Sequence, residues 1–412
     1  MLQPKLRFKT FNDKWNIKKL REILEFKNGI NASKEQYGKG IKFINVLDIL
    51  NNDFITYDNI IGRVNIDKNL LEKYSVSYGD ILFQRSSETR EEVGMANVYL
   101  DKNKIATFGG FIIRGKKIGS YEPYFMNKLL QTNLVRNEII SKAGGSTRYN
   151  VGQDILSEVK IIIPSIQEQK KIADFLSSVD VKINLTENKL ELLKEYKKGI
   201  MQKIFNRELR FKDENGNDYP NWEEKELKEL LELIIDNRGK TPPNSENKSL
   251  IPLLEVNSVG ERKINYKKVT KFVTEETYNT WFRGHIIRND ILFSTVGATA
   301  LCSVYKNEKK SVIAQNLVGL RIKKNYVPDY VYSLIKETKN NSKFKSIEMI
   351  AVQPSIKVSQ MVGLKFRVSV SYKEQQKIAD FLSSIDTKIE KISNELENLK
   401  EFKKGLLQQM FV

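Results

Sequence analysis

The chain is short of the residues that most enzymes use to bind metals or move protons. Its 412 residues include one cysteine, Cys302, and one histidine, His285. A single cysteine cannot form an internal disulfide, so a reducing, cytoplasmic setting is the expectation. Zinc sites, His-based triads and two-histidine iron sites all need more His or Cys than this chain has. His285, beside Trp281-Phe282-Arg283-Gly284, reads as a packing or surface residue. No apolar run approaches the ~18 residues of a membrane span, stretches such as Leu230–Ile235 being short. The opening MLQPKLRFKT lacks the apolar centre of a secretion signal.

What the chain has instead is a repeat. Glu168–Phe205 and Glu374–Phe411 align without a gap at an offset of 206 residues, half the chain, with 24 of 38 positions identical. Helical composition alone does not produce that identity, so the chain reads as a tandem duplication. In the second copy apolar residues fall at Ile378, Leu382, Ile385, Ile389, Ile392, Leu396 and Leu399. The first copy has Ile172, Leu176, Val179, Ile183, Leu190 and Leu193, with Thr186 as a polar interruption. Steps of four and three make a heptad seam, and each copy predicts a helix of about 35 residues, roughly 50–55 Å long. Lys197 and Lys403 break the seam, and Gly199 and Gly405 weaken each helix toward its end. A lone amphipathic helix must bury its stripe, and the other copy is the obvious partner. Antiparallel packing is favoured, because the roughly 165 residues between the helices can then fold at one end of the coil. The expected molecule is pseudo-two-fold symmetric, with one globular domain at each end of a rod.

The net charge of +18 lies off the helices. Residues 165–205 carry eight basic and six acidic residues, and 371–412 carry seven of each, which leaves +16 on the two diverged segments. A basic excess on globular domains is the footprint of a phosphate-backbone partner. No basic amphipathic anchor for a membrane surface stands out.

The diverged segments keep traces of kinship. LRFK occurs at Leu6–Lys9 and Leu209–Lys212, and Trp15, Leu20, Glu22 and Leu24 match Trp222, Leu227, Glu229 and Leu231. Asp80-Ile-Leu-Phe83 matches Asp290-Ile-Leu-Phe293, and Val98-Tyr99 matches Val304-Tyr305. The drift between these registers implies about four extra residues in the loop Gln84–Asn97. Each segment is expected to open with a short helix, near Ile17–Leu24 and Glu223–Leu233, followed by strands such as Ile41–Val46, Gly79–Phe83, Phe111–Ile113 and Val159–Ile163. The fold class is α+β, with two mixed α/β domains built around small irregular sheets.

The EQ-x-x-IADFLSS-x-D-x-KI helix, its second copy and the D-I-L-F strand in each diverged segment form one pattern, which resembles the specificity subunits of type I restriction–modification systems (the HsdS family). The resemblance covers essentially the whole chain. It implies target recognition domains at 1–164 and 207–371, and conserved coiled-coil helices at 165–206 and 372–412. It also implies a non-catalytic role in which each domain reads one half of a bipartite, asymmetric site and the helices set the gap. The implied partners are double-stranded DNA, two methyltransferase subunits and ATP-driven restriction subunits. S-adenosylmethionine, ATP and magnesium would belong to those partners, with no cofactor or metal on this chain. Pro164 matches a proline that the family often has before the EQ helix, whereas the second copy reads Val370-Ser371-Tyr372. Independently, two domains on a rod of ~50 Å suit two duplex sites about one helical turn, ~34–36 Å, apart.

Three loops are candidate contacts. Gln84, Arg85, Ser86, Ser87, Thr89 and Arg90 follow the first D-I-L-F strand, and Gln and Arg can read adenine and guanine edges. Their counterparts are Ser294, Thr295, Gly297 and Thr299. Gly144, Gly145, Ser146, Thr147 and Arg148 supply close backbone approach and donors for phosphate. Only Val352-Gln353-Pro354-Ser355 stands opposite Gly144–Thr147, with Gln353, Ser355 and Lys357 as the matching contacts. The third loop carries Arg238, Lys240 and Thr241, opposite Asn28–Lys34. Phosphate-loop and dinucleotide motifs are absent, Thr241-Pro-Pro-Asn244 resembles an adenine-methyltransferase motif only superficially, and Glu158-Val-Lys160 resembles a nuclease triplet that chance readily produces in so charged a chain. The competing reading is a structural coiled-coil adaptor whose basic domains read no sequence.

Overall fold

The computed structural model describes residues 3–411 apart from 238, 240, 307 and 351. The chain divides into two compact units, residues 1–187 with 395–412, and residues 188–394. The two long helices run Ile166–Phe205 and Tyr372–Met410, so each contributes one part to either unit.

In the first unit the strands Leu24–Asn28, Ile112–Lys117, Ile81–Gln84 and Ala96–Val98 form, in that order, an antiparallel sheet. A three-stranded mixed sheet joins Arg63–Val64, Tyr37–Ile44 and Thr107–Phe108. The second unit repeats this plan. Leu231–Ile235, Leu317–Ile322, Ile291–Ser294 and Cys302–Val304 make its four-stranded sheet, and Phe272–Val273, Ile251–Leu254 and Val312–Ile313 its mixed one. Two segments of low sequence similarity therefore share one topology. The D-I-L-F strands are interior in both sheets and fully buried, which explains their unbroken apolar run. The aspartate before each strand closes the turn that leads into it. Asp80 accepts from the Ser77 N–H (3.0 Å) and Asp290 from the Ile287 N–H (2.8 Å). Eleven residues separate the interior strand from the next in the first unit and seven in the second, the four-residue difference read from the drift.

The opening segments are not the short helices expected. Asn16–Lys19 is a strand, followed by one 3-10 turn and the strand Leu24–Asn28. Glu223–Glu226 and Leu231–Ile235 are strands flanking a single helical turn. Ile17, Leu20 and Leu24 imitate a helical period. The first strand instead pairs with Lys160–Ile163, and its counterpart with Lys365–Val368, so long-range pairing overrides the local pattern. In both units the strand paired this way leads directly into a long helix.

The repeated fragments LRFK and EQ-x-x-IADF, far apart in sequence, meet in each unit. Arg7 pairs with Glu168 (2.7 Å), and Arg210 with Glu374 (3.1 Å). Phe8 meets Phe175 edge-to-face, ring centroids 5.9 Å apart, as Phe211 meets Phe381 at 5.5 Å. Gln169 and Gln375 bridge helix to domain in the same way, each accepting a backbone N–H (Glu122, 3.0 Å; Val327, 2.9 Å) and donating to the chain before its helix, five residues back to the Pro164 carbonyl in one and six back to the Ser369 carbonyl in the other. Ser165 and Ser371 stand at the same distance, 3.4 Å, from the N–H of Glu168 and Glu374, so the helices start alike with or without proline.

The seam is apolar as expected. In the first unit Ile172, Leu176, Val179 and Ile183 are buried with Leu406, Met410 and Phe411, and Leu396 and Leu399 pack against them. In the second unit Ile378, Leu382 and Ile385 are buried with Met201 and Ile204, while Leu193 and Ile389 pack alongside. Leu190 and Ile392 are buried too. Thr186 is tolerated because its hydroxyl donates to the Lys182 carbonyl one turn back (2.8 Å). The lysines that interrupt the seam have matching partners. Lys403 pairs with Asp180 (2.7 Å) in the first unit and Lys197 with Asp386 in the second. With Glu187–Lys400 (2.6 Å), the Lys403–Asp180 pair runs the helical segments of the first unit antiparallel. Burial, followed by nearby Lys403, holds the Lys128 ammonium beside Asp180 below the usual lysine range.

Candidate nucleic-acid interface

Three loops of the first unit converge beyond the interior strand. The chain leaves Gln84 at Arg85, whose backbone N–H donates to the Phe111 carbonyl (2.9 Å) and whose carbonyl accepts from the Val151 N–H (3.0 Å). Ser86 and Ser87 pair with Asn150 and Tyr149. Gly144 and Asn150 close the five-residue turn 145–149 with two backbone hydrogen bonds, 3.1 and 2.8 Å. A Cβ at Gly145, where φ is +114°, would lie 2.0 Å from the Arg148 carbonyl oxygen, so only glycine fits. Arg85, Gly144, Gly145 and Asn150, with Asn28 from the third loop, line a cavity of about 630 Å³.

The second unit repeats the arrangement with other residues. Thr295 takes the place of Arg85, donating its N–H to the Asn316 carbonyl (3.0 Å) and accepting from the Ile356 N–H (2.8 Å). Met349 and Ser355 exchange two backbone hydrogen bonds (2.8 and 3.2 Å), and the Gly297 N–H donates to the Pro354 carbonyl (2.9 Å). Thr241, Gly297, Gln353, Glu255 and Lys271 line a cavity of about 550 Å³. Hydrogen bonding thus sets Gly144 against Met349, not Val352, and puts Gln353 where Arg148 stands. The sequence alignment of these turns is corrected by three residues.

Not every candidate reaches the surface. Arg85, Thr89, Arg90, Gly145, Ser146, Thr147, Arg148, Thr241, Gln353 and Lys357 are exposed, and Ser86 and Ser355 are half-buried. Gln84 is buried, its amide donating to the Ser86 carbonyl (3.0 Å), and Ser87 is buried against Glu92 (3.2 Å). Ser294, Thr295 and Thr299 are also buried rather than displayed. The Ser294 hydroxyl donates to the Ala298 carbonyl (2.6 Å) and accepts from the Leu301 N–H (2.9 Å). Thr299 accepts from Lys345 (2.8 Å) and contacts Glu348. This shorter loop turns through left-handed Gly297 and Ala300 and stays down on its strand, so its hydroxyls are used internally. Arg238 and Lys240 lie outside the described residues.

Asn150 and Gln153 in the first unit, and Lys271 and Asn316 in the second, line the cavities without having been singled out from the sequence. Asn150 is brought there by its pairing with Ser86 and Gln153 by the short helix Gln153–Ser157 that follows, and only the Gly-rich turn announces itself in the linear chain. His285 stacks on Tyr278 with ring centroids 4.1 Å apart, as a packing residue, and its burial, then Lys310, lowers its pKa. Glu158 pairs with Lys19 (2.5 Å) and Arg21, which accounts for it without chemistry. Among the described residues no cluster of His, Cys, Asp or Glu could hold a metal ion, and no helix is long and apolar enough to cross a membrane.

Comparison with known proteins agrees with this duplicated plan. The family model for the type I restriction modification DNA specificity domain matches twice, over residues 12–195 and 219–401. A putative type I restriction enzyme MjaX specificity subunit of Methanocaldococcus jannaschii is 27% identical over 95% of this chain and 92% of its own length. The type I restriction enzyme EcoKI specificity subunit of Escherichia coli is 21% identical over 96% and 88%. Among solved structures, the S subunit of a type I restriction–modification system from M. genitalium superposes with a TM-score of 0.60 at 16% identity, covering 100% of this chain and 99% of that one. The chain belongs to the type I restriction–modification DNA specificity family.

Proposed function

We propose that this chain gives a type I restriction–modification complex its DNA sequence specificity, each recognition domain reading one half of a bipartite, asymmetric site. The observation that carries this reading is one loop arrangement built twice on one topology with unlike lips. The first presents Arg85 and Gly145–Arg148; the second presents Thr241, Gln353 and Lys357. A common scaffold with different side chains suits two different half-sites, and Arg and Gln are the residues that read guanine and adenine. The chain is a specificity subunit and not a catalyst; catalysis lies in the modification and restriction subunits, which would also hold S-adenosylmethionine, ATP and magnesium.

Two methyltransferase subunits would dock, one on each copy of the helix. Positions identical in both copies and exposed in both, such as Asn188/Asn394, Glu191/Glu397 and Gln202/Gln408, contribute nothing to the seam and support this. So do the equivalent exposed rings Tyr196 and Phe402, 52% and 53% exposed. Helix length would set the gap between half-sites. The test is to co-express the chain with its methyltransferase partner and map methylated adenines genome-wide. A bipartite motif that appears only when this chain is present is expected; methylation that ignores the chain overturns the reading.

A further inference from the structure

The two turns that rim the cavities are closed by equivalent pairs of backbone hydrogen bonds and differ in chemistry. The first carries Gly145, Ser146, Thr147 and Arg148, all polar or bare. The second carries Ile350 and Val352, which are 95% and 104% exposed, among the most exposed apolar side chains described. Their exposure is not looseness of the turn, which the Met349–Ser355 hydrogen bonds close and the Pro354 and Ile356 bonds tie to the interior-strand loop. Two branched aliphatic side chains held out in water on a hydrogen-bonded turn at the rim of a cavity are placed to meet a ligand there.

The surroundings say which. Gln353 follows Val352 on the same turn, is exposed and lines the cavity. Residues 336–365, which carry the turn, contain six lysines and two acidic residues, against four basic and three acidic in the matching 131–160. A basic surface with an apolar tip fits a polyanion that also displays methyl groups. Duplex DNA does so in one place: the thymine 5-methyl in the major groove, beside the adenine edge that Gln reads bidentately. In the minor groove an A·T pair shows only acceptors, which offer Ile and Val nothing.

Building on the specificity role proposed above, we infer that Ile350 and Val352 read thymine methyl groups in the half-site of the second domain, with Gln353 on a neighbouring adenine. The matching turn of the first domain carries no branched aliphatic side chain, so the two turns offer different chemistry to their half-sites.

Deoxyuridine, which differs from thymidine only by that methyl, is the probe. The assembled complex is titrated against its mapped site with each thymine of both half-sites, on both strands, replaced in turn. The wild-type chain should lose about fourfold in affinity, the worth of one buried methyl, at one or two thymines of the second domain's half-site. The double variant Ile350→Ser/Val352→Ser should bind the thymine site more weakly and show no further loss with deoxyuridine there. Its penalties, if any, in the other half should be unchanged. Specific binding that is indifferent to every thymine methyl in that half overturns the inference and leaves the specificity role standing. Loss of complex assembly in the double variant, with the methyl effect absent from the wild type, also overturns it and makes the tip a protein contact. Failure of the wild-type complex to prefer any site defeats the specificity role itself.

Discussion

Glu168 and Glu374 occupy equivalent positions, yet they do not do equal work. Glu374 is fully buried and takes the Arg210 guanidinium, the Trp222 indole N–H (2.9 Å) and the Ser369 hydroxyl (2.5 Å). Glu168 takes Arg7, while the Trp15 indole nitrogen, the counterpart of Trp222, finds no hydrogen-bond partner among the described residues. Removing either glutamate strands an arginine, at a cost of about 3–5 kcal/mol. Glu374→Ala additionally strands the Trp222 indole, so it should cost about 1–3 kcal/mol more than Glu168→Ala in urea unfolding. Equal losses would show that the indole bond adds nothing. Cys302 offers a second check, since it is fully buried and burial pushes its thiol up to about 12. It should resist iodoacetamide at pH 8 in the native protein and react once unfolded; rapid native labelling would contradict the packing of its sheet. Residue-level legibility was uneven for a plain reason. Ser294, Thr295 and Thr299 look like surface residues in any linear reading, and only the short, left-handed loop reveals that their hydroxyls are spent on backbone and on Lys345 and Glu348.

The long helices were the most legible elements, because a heptad seam needs only spacing. What spacing could not supply was the meaning of Lys197 and Lys403, which read as breaks. Each meets the aspartate of the opposite copy's D-x-K-I, so the breaks are a pair of matched polar locks. Asp386 also holds Arg262 (3.0 Å), and both it and Lys197 are largely buried. Asp386→Ala leaves two cations facing each other, and about 3–5 kcal/mol of stability should be lost. Lys197→Met with Asp386→Leu replaces the pair by apolar volume and should recover much of that loss, Arg262 keeping Asp329 (2.8 Å). A double variant as unstable as the single one would mean that the ion pair is not the interaction removed. The opening strands were misread for the opposite reason: Ile17, Leu20 and Leu24 have a helical period, and nothing local reveals Lys160–Ile163 waiting to pair.

At the scale of the whole chain the duplication was plain in the helices and faint in the domains, whose common topology appears only in three dimensions. That topology also decides where the chain can be cut. An exchange of residues 1–150 would separate Asn16–Lys19 from its partner Lys160–Ile163 and Arg7 from Glu168. An exchange of residues 14–164 with a relative keeps the strand pair within the donor and the Arg7–Glu168 pair within the host. It should change one half-site of the methylated motif and leave the other half and the gap intact; a change in both halves would refute independent reading. The complementary experiment alters the helices and spares the domains. Seven residues inserted after Glu187 and seven after Asn394 preserve the heptad phase of both helices. They leave Lys403–Asp180 in one unit and Lys197–Asp386 in the other. Each helix grows by ~10.5 Å at ~1.5 Å per residue. With a base-pair rise of ~3.4 Å, the mapped gap should widen by about three base pairs while both half-sites stay the same. If both half-sites survive and the gap does not move, the spacing between them is set by something other than helix length.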